Sequence, residues 1–412
     1  MKRVVITGMG TVNPLGSTLE SFWANVKQGK LGISTIDTFD TTETGVHVAG
    51  IVRDFQPEAY FDRKELRHME RFVQFAVASA IQAVQDSGSD FKDMDPYRAG
   101  VIIGCGIGGM SMIERQYDIY KEKGPNRISP FFVPMMIGNM AAGQVAMHTG
   151  FKGDNFCTQT ACASSTHAIG EAFHKIRDGY LDVCLCGGAE STVDEFTIGG
   201  FNTMKALSKT EDPAKASIPF DANRNGFVLA EGAGVLVLEE YEHAKARGAH
   251  IYAEIAGYGA TCDAYHMTAP SPTGEAAAEA MREAYTEAGL QAEDITYINA
   301  HGTSTGLNDK YETIAIKKAL GEEQAHKVKI NSTKSMTGHM LGGTGAVETI
   351  VTALTVQEGF IHQTIGYTTP DPDCDLDYCT NGPVETKVTG ALNNSLGFGG
   401  HNATLCLKPC TD

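Results

Sequence analysis

The chain repeats one local pattern, a short apolar run that ends in glycine and is followed by a helical stretch. Val4-Val5-Ile6 runs into Gly8, Val101-Ile102-Ile103 into Gly104, and Val183-Cys184-Leu185-Cys186 into Gly187-Gly188. Short, near-continuous apolar runs read as strands buried on both faces, and strands alternating with helices specify an α/β fold with largely parallel sheets. The pattern then recurs. Residues 251–257 echo the first strand, and helix 276–288, closed by Gly289, echoes helix 72–87, closed by Gly88. Strand 295–299 echoes 101–104, and 391–395 with Gly397-Phe398-Gly399-Gly400 echoes 183–186 and its glycine pair. Segment 332–339, read as a helix start, echoes 159–165. This predicts two similar halves, residues 1–250 and 251–412, packed into one body with active residues shared between them.

Charge and cysteine usage narrow the function classes. Lys and Arg total 33 against 50 Asp and Glu, a net charge of −17, which makes nucleic acid and anionic membrane surfaces poor partners. No apolar run approaches the ~20 residues that span a bilayer, so membrane insertion is not expected. The basic start Met1-Lys2-Arg3 leads into a strand and not into an apolar signal segment. Ten cysteines are scattered without C-x-x-C spacing, which suits reduced thiols in the cytoplasm and speaks against structural zinc.

Three residues carry the chemistry. Cys162 stands in Thr160-Ala161-Cys162-Ala163-Ser164-Ser165, between a short β-like run and a long amphipathic helix. A helix N-terminus is expected to favour the thiolate and to offer N–H groups to an oxyanion. His301 follows strand 295–299 in Ala300-His301-Gly302, where α/β sheets open their ligand crevice. His339 lies in the glycine-rich run Thr337-Gly338-His339-Met340-Leu341-Gly342-Gly343. Two histidines in the half that lacks the nucleophile suggest a shared reaction centre. His167, inside the helix after Cys162, reads as core.

Two further features are weighed. Gly104-Cys105-Gly106-Ile107-Gly108-Gly109 matches G-x-G-x-x-G, but the acid-ended strand a dinucleotide site needs ~20 residues on is missing, so the glycines are expected to serve close packing beside the reaction centre. Residues 62–71 read as a helix start. At about 100° per residue, Arg63, Lys64, Arg67, His68 and Arg71 fall on one arc, opposite Asp62, Glu65 and Glu70, giving a basic stripe on an acidic protein.

Taken together, Thr160-Ala161-Cys162-Ala163-Ser164-Ser165, His301-Gly302-Thr303-Ser304-Thr305 and Asn331-Ser332-Thr333-Lys334-Ser335-Met336-Thr337-Gly338-His339 closely resemble the β-ketoacyl-[acyl-carrier-protein] synthases of bacterial fatty acid synthesis, most of all the class II elongation enzymes. The resemblance runs from Val4 to Ala403. It implies a thiolase-like, duplicated, five-layered αβαβα fold with two mixed sheets, and a homodimer. It implies a decarboxylative condensation in which an acyl group on Cys162 meets malonyl-acyl carrier protein. His301 and His339 would donate to the enolate from Nε2, and the backbone N–H groups of Cys162 and Phe398 would hold the oxyanion. No cofactor is needed beyond the phosphopantetheine that the carrier protein brings.

The resemblance assigns further roles. Lys334, partnered by Glu348, orders the histidines, and Phe398 gates the site. Ile107, Phe201 and the segment from Phe131 to Ile137, with Phe132, line the acyl pocket. Thr303 and Thr305 bind the pantetheine arm. Asn299, Glu348 and Ser395 match a monovalent-cation site. The acidic carrier protein would meet the basic stripe, joined by Arg127 and Lys205.

Gly306 and Leu396 depart from the proline and phenylalanine common at those positions. A thiolase would need a second cysteine in a C-x-G setting, which Cys406-Leu407-Lys408 is not. A polyketide-type condensing enzyme shares the Cys–His–His set and remains open. A non-catalytic acyl-binding subunit lacks the nucleophile.

Overall fold

The structure, a computed structural model, describes residues 1–411. Ten strands build the main sheet: β1 (Val4–Val12), β2 (Ala99–Gly104), β3 (Asn155–Phe156), β4 (Val183–Glu190), β5 (Gly232–Glu240), β6 (Ala253–Cys262), β7 (Ile295–Asn299), β8 (Lys329–Asn331), β9 (Gly390–Gly397) and β10 (His401–Lys408). Five helices frame them: α1 (Arg71–Asp86), α2 (Ser164–Arg177), α3 (Glu275–Glu287), α4 (Gly306–Leu320) and α5 (Thr344–Glu358).

The strand order is β8-β7-β9-β10-β6-β1-β5-β4-β2-β3. Within each half the order and the strand directions are the same. The first strand pairs antiparallel with the fifth, the fifth antiparallel with the fourth, and the fourth, second and third run parallel. The two mixed sheets join where Val4, Val5 and Ile6 pair with Ile255, Glu254 and Ala253, so the ladder is continuous. The likeness reaches single glycines. A Cβ on Gly10 would lie 2.1 Å from Ser79 O of α1, and one on Gly259 would lie 1.9 Å from Ala280 O of α3. Glycine in the first strand of each half thus lets its outer helix pack against the strand backbone.

The layers follow from what each helix touches. α1 lies on β1 and β5, and α3 on β6 and β10, each on the outside of its own half. α2 and α5 touch each other and strands of both halves, forming the central layer. Every residue of α5 from Thr344 to Thr355 is buried, as a helix enclosed on all sides requires. Thr349 and Thr352 tolerate this because they donate to the carbonyls of Gly345 and Glu348, 2.7 Å each, one turn back.

Two local expectations change. Residues 62–71 do not form one helix. Asp62 and Glu65 make a capping box on the four-residue helix Arg63–Leu66, and α1 starts separately after Glu70, which holds the N-cap position without a side-chain capping bond. Segment 332–339 is also not the counterpart of the nucleophile turn. It holds only the helical turn Lys334–Thr337, and α5 begins after a second turn, Leu341–Gly343. The turn Ala161–Ala163 precedes α2 in the same way, with Ala161 at φ +50° and Leu341 at φ +44°. Gly342 therefore stands where the other half has Cys162. Among the described residues, no helix is long and apolar enough to cross a membrane.

Candidate active site

Cys162 sits on a turn locked by its small polar neighbours. Ser164 Oγ donates to Ala161 O at 2.7 Å and accepts from Thr160 N at 2.9 Å, while Thr158 Oγ1 donates to Ser164 O at 2.7 Å. These bonds hold Ala161 in a left-handed conformation that a non-glycine residue adopts only when its surroundings impose it. The side chain of Cys162, 8% exposed, faces a cavity of about 610 Å³. The backbone N–H groups of Phe398 and of Cys162 itself favour the ionised sulfur. Burial pushes the thiol up to about 12, against the downward pull of the Lys334 ammonium. The expected thiolate is thus overturned: the short turn brings a helix start near the sulfur, but burial outweighs it.

The neighbouring Gly397 has no room for a side chain, because a Cβ there would lie 2.7 Å from Thr160 O and 3.3 Å from Cys162 N. Gly397→Ala is expected to separate the Phe398 turn from the nucleophile and to lower kcat about 10²-fold with a smaller change in KM, measured in steady-state condensation assays.

His301 follows β7, and the carboxylate of Glu312 on α4 fixes its backbone, accepting from His301 N at 2.7 Å and Gly302 N at 2.8 Å. His339 N donates to Val228 O at 2.7 Å, and its Nδ1 lies 3.0 Å from Thr344 Oγ1 at the start of α5. The two rings stand 5.3 Å apart at 83°. His301 Nδ1 and His339 Nε2 are buried without a hydrogen-bond partner. One nitrogen of each ring and Cys162 Sγ lie within 4.8 Å of one another. Burial, reinforced by Lys334, holds both imidazoles well below their ordinary range, so both are neutral.

This has a measurable consequence. The unfolded chain protonates these rings near pH 6.5 and the folded chain does not, so stability is fully present above that pH and is lost as pH falls below it. His167 and His362, held to about 4 by burial, add to the same slope. Urea midpoints measured from about pH 7.5 down to about pH 5 are expected to fall, and less steeply in a His301→Gln/His339→Gln variant.

Lys334, 1% exposed, donates to Glu348 Oε1 at 2.6 Å. Burial pushes the Glu348 carboxyl up to about 7 while Lys334 pulls it down. The same ammonium acts on Cys162, His301, His339 and Glu312, which makes it the positive charge of the site.

Ile107, Phe201 and Phe398 line the cavity, with Phe201 6.5 Å from Phe398 and 5.5 Å from Phe227, which in turn stands 5.3 Å from His339. Thr303 and Thr305 line it too, their hydroxyls 2.9 Å apart. Phe132 and Ile137 are not among its lining residues. The helix Phe132–Met136 packs its backbone against Gly108 and Gly109, on a face where Phe131 and Val133 are exposed.

Of the proposed cation ligands, Asn299 Oδ1 and Glu348 Oε2 are buried without partners, whereas Ser395 Oγ lies 2.6 Å from Thr166 Oγ1. Asn393, the register partner of Asn299, also leaves Oδ1 unpaired.

Arg63, Lys64, Arg67, Arg127 and Lys205 are exposed, and none forms an ion pair with a described residue. Two members of the stripe differ. Arg71 is bound by Glu231 through two 2.9 Å contacts, and His68 packs on Phe131 at 4.0 Å between ring centres. His167 lies in α2 with Nδ1 2.5 Å from Tyr258 OH. All ten cysteines are free.

Sequence reasoning missed three residues that shape the site. Glu312 holds the His301 turn. Arg224 donates to Thr305 O and Gly306 O, 3.0 Å each, and pairs with Asp371. Glu190 gathers the N–H groups of the glycine run and of Gly342. For Glu312 a signal was available: Asp309, Glu312 and Thr313 stand among the apolar residues of the buried face of α4.

The chain matches known proteins along almost its whole length. The profile described as "Beta-ketoacyl synthase, N-terminal domain" matches residues 1–244, and that of the C-terminal domain matches residues 252–368. The chain is 47% identical to the 3-oxoacyl-[acyl-carrier-protein] synthase 2 of Synechocystis sp., with 99% of this chain and 98% of that protein covered. It is 49% identical to the protein of that name from Staphylococcus aureus, with the same coverage. Among solved structures, a β-ketoacyl synthase from Burkholderia phymatum superposes over the whole of both chains with a TM-score of 0.92 at 36% identity. The AntDE:AntF structure, a type II polyketide acyl-carrier protein in complex with its ketosynthase, gives 0.92 at 37%, covering 99% of this chain and 100% of that one. With its two matched domains, its near-complete coverage of these relatives and its Cys–His–His centre, the chain belongs to the β-ketoacyl synthase family.

Proposed function

We propose that this enzyme condenses an acyl group held on Cys162 with malonyl-acyl carrier protein, releasing carbon dioxide and giving a 3-oxoacyl-acyl carrier protein two carbons longer. The observation that carries this reading is the meeting of Cys162 Sγ with one nitrogen of each neutral histidine within 4.8 Å. In the first step Cys162 attacks the acyl thioester, its proton leaves through a neutral imidazole, and the pantetheine thiol departs protonated. In the second, loss of carbon dioxide from malonyl thioester leaves an enolate, stabilised by N–H groups of His301 and His339. Its carbon attacks the acyl-cysteine, the oxyanion forms against the N–H groups of Cys162 and Phe398, and collapse expels the cysteine thiolate, which takes up a proton from solvent to restore the thiol.

Relatives 47% and 49% identical are named 3-oxoacyl-[acyl-carrier-protein] synthase 2, while the type II polyketide ketosynthase is 37% identical, which favours elongation of acyl chains on a carrier protein over a polyketide role. The two halves, residues 1–250 and 251–412, act together, one supplying the nucleophile and the other the histidines and Lys334. Thr303 and Thr305 receive the pantetheine arm, and Ile107 and Phe201 the acyl chain. A homodimer is part of this reading, and the exposed Phe131 (42%) and Val133 (55%) offer an apolar face for the second copy. The unpaired oxygens of Asn299, Asn393 and Glu348 fit a monovalent cation, which would supply positive charge beside the Lys334–Glu348 pair. Iodoacetamide is expected to label Cys162 and abolish condensation in proportion to labelling. Full activity after stoichiometric labelling would refute the mechanism.

The carrier protein docks on Arg63, Lys64 and Arg67, joined by Arg127 and by Lys205, which lines the cavity. Arg67→Glu is expected to raise KM for carrier-bound acyl chains about tenfold at low salt, to leave kcat unchanged and to flatten the salt dependence. An unchanged KM at low ionic strength counts against this surface.

A further inference from the structure

Glu190 ends β4 with its carboxylate wholly buried, and no described lysine or arginine lies within ion-pair distance. Its partners are backbone and thiol donors. Oε2 accepts from Gly106 N at 2.8 Å and Gly342 N at 3.2 Å, and Oε1 from Ile107 N and Gly108 N at 3.3 Å and from Cys105 Sγ at 3.5 Å. A buried carboxylate without a counter-ion is costly, and packing alone could hold an apolar loop in place.

The donors come from two segments that the fold brings together, the loop after β2 and the turn that follows His339. They meet with no side chain between them: a Cβ on Gly342 would lie 2.3 Å from Gly106 N, and one on Gly106 would lie 2.6 Å from Glu190 Oε2. Each segment sends a side chain, Ile107 and Leu341, to the cavity wall beside Cys162.

We propose that Glu190 is a positioning residue for the acyl chain, holding the Ile107 wall against the Leu341 turn and so setting which chain lengths reach Cys162. This rests on the condensing reaction proposed above. A glutamine at this position keeps the shape but carries one acceptor oxygen where the carboxylate has two, so part of the clip opens and Ile107 moves relative to the sulfur. An ionised Glu190 also opposes ionisation of Cys162.

The test compares the full-length enzyme with Glu190→Gln on carrier proteins loaded with short and long saturated acyl chains. The ratio of kcat/KM between long and short chains is expected to shift about tenfold or more, while decarboxylation of malonyl carrier protein, which does not use the acyl wall, stays within about twofold. Alkylation of Cys162 by iodoacetamide is expected to move to lower pH, which a merely structural role would not produce. If Glu190→Gln does not fold, Cys105→Ala removes one donor and keeps the charge, and is expected to shift the ratio in the same direction by about twofold. An unchanged chain-length ratio in the folded variant overturns the proposal. A wild-type enzyme that condenses no chain at all counts against the reaction itself.

Discussion

Cys162→Ala is expected to lower kcat/KM for condensation by about 10⁴-fold or more while leaving the fold intact. The substitution deletes the atom that carries the acyl group, and neither water nor a neighbouring hydroxyl can form the thioester in its place. Its structural cost is small, about 1 kcal/mol, because alanine fills nearly the same space on the turn. Malonyl decarboxylation needs only the donors that stabilise the enolate, and these are His301 and His339. The variant is therefore expected to keep releasing carbon dioxide from malonyl carrier protein, measured as labelled gas, and to form no 3-oxoacyl product. Simultaneous loss of both reactions in a folded protein would show that Cys162 does more than carry the acyl group.

The second large effect concerns the buried pair. Lys334→Met is expected to destabilise the protein by about 3–5 kcal/mol near pH 8, because it strands Glu348 in a site with no solvent. The folded Glu348 value, already about 7 with Lys334 present, rises further once the ammonium is gone. A carboxyl raised in the folded state contributes stability below its unfolded value and loses it as pH rises through the folded one. The deficit is therefore expected to shrink as pH falls below the raised Glu348 value toward about 5, a range in which Glu348 is protonated in the folded variant. Lys334→Met/Glu348→Gln is expected to recover most of the stability, because no unpaired charge stays buried. It should not recover activity: without the ammonium the histidines ionise more readily, and kcat is expected to fall about 10–100-fold. Urea unfolding at two pH values and steady-state kinetics separate these effects. Equal destabilisation in the single and double variants would place the cost elsewhere.

Much of the site was legible because its key residues sit on short backbone devices. The turns around Cys162 and His301 need small neighbours at fixed offsets, and such local demands leave a mark in the sequence. The role of Glu190 left none. Its donors lie 82 to 85 residues away in the glycine run and 152 away at Gly342, so no local spacing announces them. The glycine run could be set aside as a dinucleotide motif from sequence, but only the structure shows that its N–H groups close on the chain's own carboxylate. The basic stripe failed in part for a similar reason. A uniform helical arc was assumed, whereas the Asp62–Glu65 capping box and the distant Glu231 broke the helix and removed Arg71.

The sequence alone determined the alternation of buried strands and helices, the internal repetition, the nucleophile turn and the histidines after the second-half strands, because each is written in patterns within a few residues. The tertiary structure alone decided the ionisation of that centre and the placement of Phe132 and Ile137 outside this chain's cavity. Desolvation depends on everything that closes around a group, and around Cys162 this includes Phe398, which folding brings from the far end of the chain. A local rule gave a lowered thiol, and burial gave one near 12.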